Sequence, residues 1–202
     1  MSADTTSGAP DRRAVVIAGH TGDEATARAG SAHPDPLVRA AALGALERLG
    51  ELSDDTIAAA LRDADPGLRR RAAEIAATHR GVDLLDALHD VDPRVVEVAA
   101  WACGEHESSR AEIVERLVAL AGDSPEPLVR ESSVAALGAI GDERALTAIV
   151  AACSDKPAVR RRAVLALAPF AGDEVDAAID RALSDRDWQV RQAAEDLLRA
   201  RS

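Results

Sequence analysis

Apolar residues recur along this chain at helical spacing, in blocks that begin alike. Val38, Ala42, Ala45, Leu46 and Leu49 fall on one helix face, and Val129, Ser133, Ala136, Leu137 and Ile140 repeat the series later. Gly50 and Gly141 follow the last apolar position of each block, where a helix C-cap favours a residue that tolerates positive φ. A shorter apolar segment begins one turn later, so the pattern predicts pairs of helices with a shorter first member and a longer second one. We place these pairs at 23–30 with 35–49, 54–62 with 66–79, 82–89 with 93–105, 109–121 with 126–140, 143–152 with 157–170, and 174–183 with 187–200. Arg12 to Gly19 reads as a further short helix, the second half of a truncated repeat. Residues 1–10 show no apolar periodicity and are expected to be a disordered tail, leaving 11–202 as a single array.

Each longer helix opens on a degraded copy of one stretch, Asp35-Pro36-Leu37-Val38-Arg39. The other copies begin at Asp65, Asp92, Glu126, Lys156 and Asp187, a period of roughly 30 residues that suits stacked helical hairpins. Asp followed by Pro is a helix start: the carboxylate caps free backbone N–H groups, and Pro gives up a donor that has no partner there anyway. The Arg that follows lies in the first turn, where the helix dipole disfavours a cation by up to about 1 kcal/mol. Its recurrence calls for a compensating contact. The expectation is a structural ladder in which Arg39, Arg69, Arg130, Arg160 and Arg191 pair with loop carboxylates such as Asp63, Asp65, Asp90 and Asp92. The copy at Asp92 departs from the pattern, with Val96 in the Arg slot. The spacing also stretches between Pro93 and Pro127, around Gly104 to Ser109, where a longer turn or an extra helical turn is expected.

These elements make the fold class all-α, a right-handed αα superhelix, or solenoid, of about six short helical hairpins. Hydrophobic residues are 47% of the 202 but aromatics only 1%, so the interior must be built from Ala, Leu, Val and Ile in closely stacked helices. The final helix carries Arg201 where earlier repeats have Leu49 or Ile140, as suits a terminal repeat with one face to water. The formal charge of −11 argues against a surface that neutralises phosphates, which excludes nucleic acid as the expected partner. No apolar run spans a bilayer and the amino terminus lacks a basic then apolar leader, so no membrane association and a cytoplasmic location are expected. Cys103 and Cys153 belong to no Cys-x-x-Cys pair and read as small buried hydrophobes.

The pattern Asp-x-Asp-Pro-x-Val-Arg-x-x-Ala-x-x-Ala-Leu-Gly, nearest in Asp35 to Gly50 and Glu126 to Gly141, resembles the short HEAT-like repeats named after the phycobilisome lyases. The resemblance covers about 23–200. It implies the solenoid fold and leaves function open, because proteins with such repeats include chromophore lyases, scaffolds and adaptors, a di-iron hydroxylase and DNA-alkylation glycosylases.

Candidate chemistry is sparse. Iron ligation of the hydroxylase kind takes several His-Glu pairs, and this chain has one, His106-Glu107; no metal and no cofactor are expected. A base-handling enzyme would need a basic surface with an aromatic pair, and the only aromatics are Trp101, Phe170 and Trp188. Trp188 stands in a Pro slot and reads as a helix-start residue packing on the previous turn. No nucleophile triad or phosphate-cradling loop has a recognisable spacing, so no catalytic residue is assigned.

What remains is a surface. Counting from the signature Val, positions 0, 4, 7, 8 and 11 of each second helix form the core, which leaves 2, 6 and 9 on the opposite, expectedly concave, face. That strip is rich in small residues and carries the candidate partner-binding residues Arg70, Glu97, Trp101, Glu131, Arg161 and Leu165. Trp101 is read either as a binding hot spot or as a residue packing under the long turn. The arginine triplets 69–71 and 160–162 are either solvated and paired locally, or grip an acidic partner segment on either side of Trp101. The expected function is a non-enzymatic protein-interaction scaffold or adaptor, a monomer or weak oligomer, binding an unidentified protein partner on the concave face of its second helices. The alternative, implied by the resemblance, is a lyase-like subunit that handles a chromophore or cofactor.

Overall fold

The computed structural model describes residues 9–201, and all regular structure among them is helical. The tail expected at 1–10 lies outside the described residues except for Ala9 and Pro10, which precede the first helix. The described residues form two compact units, one ending at Val82 and one beginning at Asp83. The first holds α1 (Arg12–Thr21), α2 (Glu24–Ser31), α3 (Pro36–Leu49), α4 (Asp54–Ala60) and α5 (Pro66–Ala76). The second holds α6 (Pro93–His106), α7 (Ala111–Asp123), α8 (Pro127–Ile140), α9 (Leu146–Ala152), α10 (Pro157–Ala166), α11 (Asp173–Leu183) and α12 (Trp188–Arg201). Within each unit the longer helices pack in sequence, α1 on α3 on α5, and α6 on α8 on α10 on α12, with the shorter ones as a second layer. The fold is therefore all-α, of the helical-repeat solenoid class.

The helix starts follow from local chemistry. Asp35, Asp65 and Asp92 accept the N–H of Leu37, Leu68 and Arg94 at 2.9 Å, and Pro36, Pro66 and Pro93 occupy the first turn. Asp65 and Asp92, candidates for the arginine ladder, thus serve as caps. Gly50 and Gly141 close α3 and α8 at φ 72° and 67°, the left-handed region where a side chain is strained. Glu107 closes α6 in the same region at φ 51°.

Three expected elements differ. The helix expected at 82–89 is only a 3-10 turn, Ala87–His89, in a stretch whose Val82, Asp83, Asp86 and His89 are among the weaker helix formers. Leu84 and Leu88 still reach the core from this irregular segment. The helix expected at 157–170 stops at Ala166, since Pro169 has no N–H to continue it. The long spacing before Pro127 goes into a full α7 of 13 residues, against 7 in α4 and α9, and the connection itself stays short.

With few aromatics to fill space, the second helices approach closely. A Cβ on Gly19 would lie 2.7 Å from Ala45 Cα, one on Gly104 3.0 Å from Ala136 Cα, and one on Gly138 2.6 Å from Ala166 Cα. Gly104 and Gly138 stand at position 9 after the signature Val, so this position belongs to the stacking seam. Periodicity within one helix predicts it on the open face instead. Gly19 meets α3 in the same way, which makes α1 the second helix of an incomplete pair.

Arg39, Arg130 and Arg160 bridge their loops to neighbouring repeats. Arg39 binds Asp63 through Nε at 3.0 Å and Nη2 at 2.7 Å, while its Nη1 donates to the carbonyls of His33 and Pro34. Arg130 does the same with Asp155 and the Ser124 carbonyl, and Arg160 with Asp185 and the Asp155 carbonyl. Arg69 donates to the carbonyls of Asp63 and Ala64, and Arg191 to that of Asp185. Arg160 is only 6% exposed, so its two-pronged pairing is needed to offset desolvation. At the odd repeat both slots change: Val96 replaces the Arg and Ser124 stands where Asp63 and Asp185 stand elsewhere. Arg116 of α7 ties that joint instead, its Nε donating to the Leu88 carbonyl at 3.1 Å. Arg201, expected to face water, turns back to donate to the Phe170 carbonyl.

Gly138→Ala is expected to lower stability by about 1–3 kcal/mol in urea denaturation, because backbone stands where its methyl would go. Gly122→Ala, with open space around it in α7, is expected to raise stability by up to about 1 kcal/mol. Equal effects at the two sites would show that the seam is not tightly packed.

Arg160→Ala is expected to cost about 3 kcal/mol, leaving Asp185 without its guanidinium. Hydrogen bonds from Arg130 and Arg160 hold the carboxyls of Asp155 and Asp185 below the ordinary carboxylate value. A depressed folded-state pKa contributes stability that is present above the unfolded value, about 4, and lost as pH falls through the folded one. Acid titration of unfolding should therefore show a steeper decline below about pH 4 in the parent than in Arg160→Ala; identical acid limbs would refute the assignment.

Candidate functional site

Core packing decides which side chains of the second helices remain outside. Val95, Ala99, Ala102 and Cys103 of α6 are buried, which rotates Glu97 and Trp101 outward on the other side. Val129, Ser133, Ala136 and Leu137 do the same for Glu131 and Ala135 of α8. The result is a groove of about 490 Å³ in the second unit, walled by Glu97, Trp101 and Glu105 from α6, by Leu128, Glu131, Ser132 and Ala139 from α8, and by Arg162 from α10. Trp101 is 41% exposed within it.

The predicted residues divide. Glu97, Trp101 and Glu131 come together in this groove. Arg161 points toward Glu131 with Nη2 at 3.9 Å from the carboxylate and does not wall the groove, while Leu165 is exposed farther along α10. Arg70 is exposed in the first unit, on a separate groove of about 430 Å³ with Ala40, Gly44, Arg12, Arg48 and Arg71. Arg71 there pairs with Glu74 at 2.8 Å. Sequence reasoning missed Glu105, Leu128, Ser132 and Ala139, which stand at positions 10, −1, 3 and 10 of their helices. The helical repeat contains the signal, since 3 and 10 flank 6 on the same face.

The electrostatics of the groove are acidic. Ser132 Oγ donates to Glu97 at 3.3 Å, and Arg162 Nη2 stays 3.8 Å from Glu131, beyond hydrogen-bond length. The second unit as a whole holds 23 Asp and Glu against 14 Lys and Arg, a net −9 out of the chain's −11. Cys103 and Cys153 take no part: burial pushes their thiols up to about 12 and about 11, which keeps them protonated. Phe170 is core, and Trp188 is exposed at the start of α12, not packed down on the previous turn. Among the described residues no three His, Cys, Asp or Glu side chains converge as a metal site, and no helix is long and apolar enough to cross a membrane.

A second cleft of about 390 Å³ opens at the altered joint, between Val91 and Val96 on one side and Leu120, Ser124 and Val129 on the other. Val96 and Ser124 line it in the places that carry an arginine and a carboxylate at other joints.

A family model of HEAT repeats matches residues 81–168. No curated protein sequence matches the chain. Several solved structures share its fold. One designed armadillo repeat protein is 18% identical with a TM-score of 0.62, covering 89% of this chain and 99% of its own. Another, solved in complex with the peptide (KR)4, is 18% identical with a TM-score of 0.59 over 96% of this chain and 100% of its own. The complex of CpcE and CpcF of phycocyanin lyase from Nostoc is 20% identical with a TM-score of 0.60, over 96% of this chain and 77% of its own. The chain is thus similar to proteins built from HEAT and armadillo repeats.

Proposed function

We propose that this HEAT-like repeat chain is a non-enzymatic scaffold or adaptor that binds a protein partner on the open face of its second helices. The observation that carries this reading is Trp101, a large aromatic left 41% exposed in a groove, in a chain with two tryptophans and one phenylalanine. Every other large aromatic position is core or helix start. Tryptophan is enriched where truncation costs an interface 2 kcal/mol or more. Similar folds support the reading in kind: a designed armadillo protein is in complex with a peptide, and CpcE is in complex with CpcF. The lyase-like alternative draws on the resemblance of the repeat pattern and on the latter similarity, at 20% identity.

Trp101→Ala is expected to weaken binding of a partner co-purified from the native cell by more than tenfold, while shifting unfolding free energy by less than about 1 kcal/mol. Unchanged partner binding, or a loss of stability of several kcal/mol, would overturn the assignment.

A further inference from the structure

We propose that the groove of the second unit takes a cationic side chain, Arg or Lys, of an extended peptide segment, seated on the Trp101 ring between the carboxylates of Glu97, Glu105 and Glu131. This rests on the partner-binding reading above and goes beyond it by fixing the chemistry of the partner.

The groove's own charges carry the argument. Its walls hold three carboxylates and one guanidinium. Ser132 supplies Glu97 with one donor, whereas an ionised carboxylate has about four acceptor sites. Arg161 and Arg162 approach Glu131 only to 3.9 and 3.8 Å, so its oxygens remain open to a closer donor. An apolar segment laid here would desolvate these carboxylates without giving them hydrogen bonds, and an acidic segment would meet like charge. A guanidinium or ammonium supplies donors to the carboxylates and a cation to the indole face, an attraction of about 0.5–2 kcal/mol. Ala135, Ala136 and Ala139 keep the floor low, leaving room for the aliphatic stem of such a side chain. At longer range the net −9 of this unit draws a basic segment in and holds an acidic one off. Of the arginine triplet at 160–162, which in the sequence suggested an acidic partner, Arg160 is committed to Asp185, and Arg161 and Arg162 lie near Glu131, so the groove's carboxylates outnumber the one guanidinium on its wall.

The test uses the full chain carrying Trp188→Phe, which leaves Trp101 as the only tryptophan. The probe is an eight-residue alternating Lys-Arg peptide, with alternating Gly-Ser and Glu-Asp peptides of equal length as comparisons. The expected result is a saturable change in Trp101 fluorescence with one site for Lys-Arg alone, weakening as salt rises. By calorimetry Trp101→Ala should weaken binding about tenfold and Glu131→Gln or Glu97→Gln about threefold to tenfold each. Asp173→Asn with Glu174→Gln, on α11 outside the groove, should change little. No saturable binding, or equal weakening by the α11 changes and the groove changes, would overturn the proposal as generic attraction to an acidic chain. A natural partner that needs Trp101 but is not displaced by the Lys-Arg peptide would overturn the cationic assignment and leave the interaction face standing. A partner indifferent to Trp101 would overturn the interaction face itself.

Discussion

The buried guanidinium at the joint between repeats is the interaction on which the rest depends. Each hairpin alone has an apolar face it cannot cover, and stacking leaves the connecting loops pressed between neighbours with carbonyls that no helix reaches. One signature arginine answers both problems. Its Nη1 takes the loop carbonyls that precede its own helix, and its Nε and Nη2 edge takes a carboxylate roughly one repeat later, as Arg39 does with Asp63 and Arg130 with Asp155. The unfavourable placement of a cation in a first turn is outweighed because the same group satisfies three or four acceptors at once.

Fixing the joints fixes the distance between second helices, and this is where the small residues matter. Gly104 against Ala136 and Gly138 against Ala166 let backbones approach within the space one methyl would fill. An interior poor in aromatics has no large side chain to hold helices apart, so composition and close stacking are two aspects of one constraint. The open face is what stacking leaves over. Its residues stand at positions 2, 3, 6 and 10 of the second helices, and their side chains are released by the burial of positions 0, 4, 7 and 8.

Most of this was legible in the sequence wherever a local rule acts alone. Asp-Pro helix starts, the Gly caps and the hairpin period are local, and twelve of the thirteen expected helices form among the described residues, with boundaries shifted by a few residues. Where nonlocal packing or weak helix propensity decides, pattern reading failed. The segment from Val82 to His89 has helical apolar spacing, yet its backbone forms only a short turn while Leu84 and Leu88 are buried regardless. Position 9 looked outward because periodicity defines one face relative to the first helix and says nothing of the next repeat, which covers Gly104. Glu97, Trp101 and Glu131 were legible as a group because adjacent repeats place equal positions side by side, whereas Arg161 has its partner in Glu131, a choice no spacing specifies.

The helix α6 combines two departures from the repeat, and the structure separates them. Val96 lies one residue after the signature Val and borders the cleft at the loop joint, while Trp101 lies five residues farther on and borders the acidic groove. The two clefts share no wall residue. The loss of the arginine at Val96 is answered within the fold, since Ser124 removes the carboxylate it would have bound and Arg116 supplies another tie. Trp101 has no such counterpart: it stays 41% exposed and borders the groove beside three carboxylates. A substitution compensated by its neighbours belongs to stability, and an aromatic left uncompensated in a groove is a surface held ready for something outside the chain.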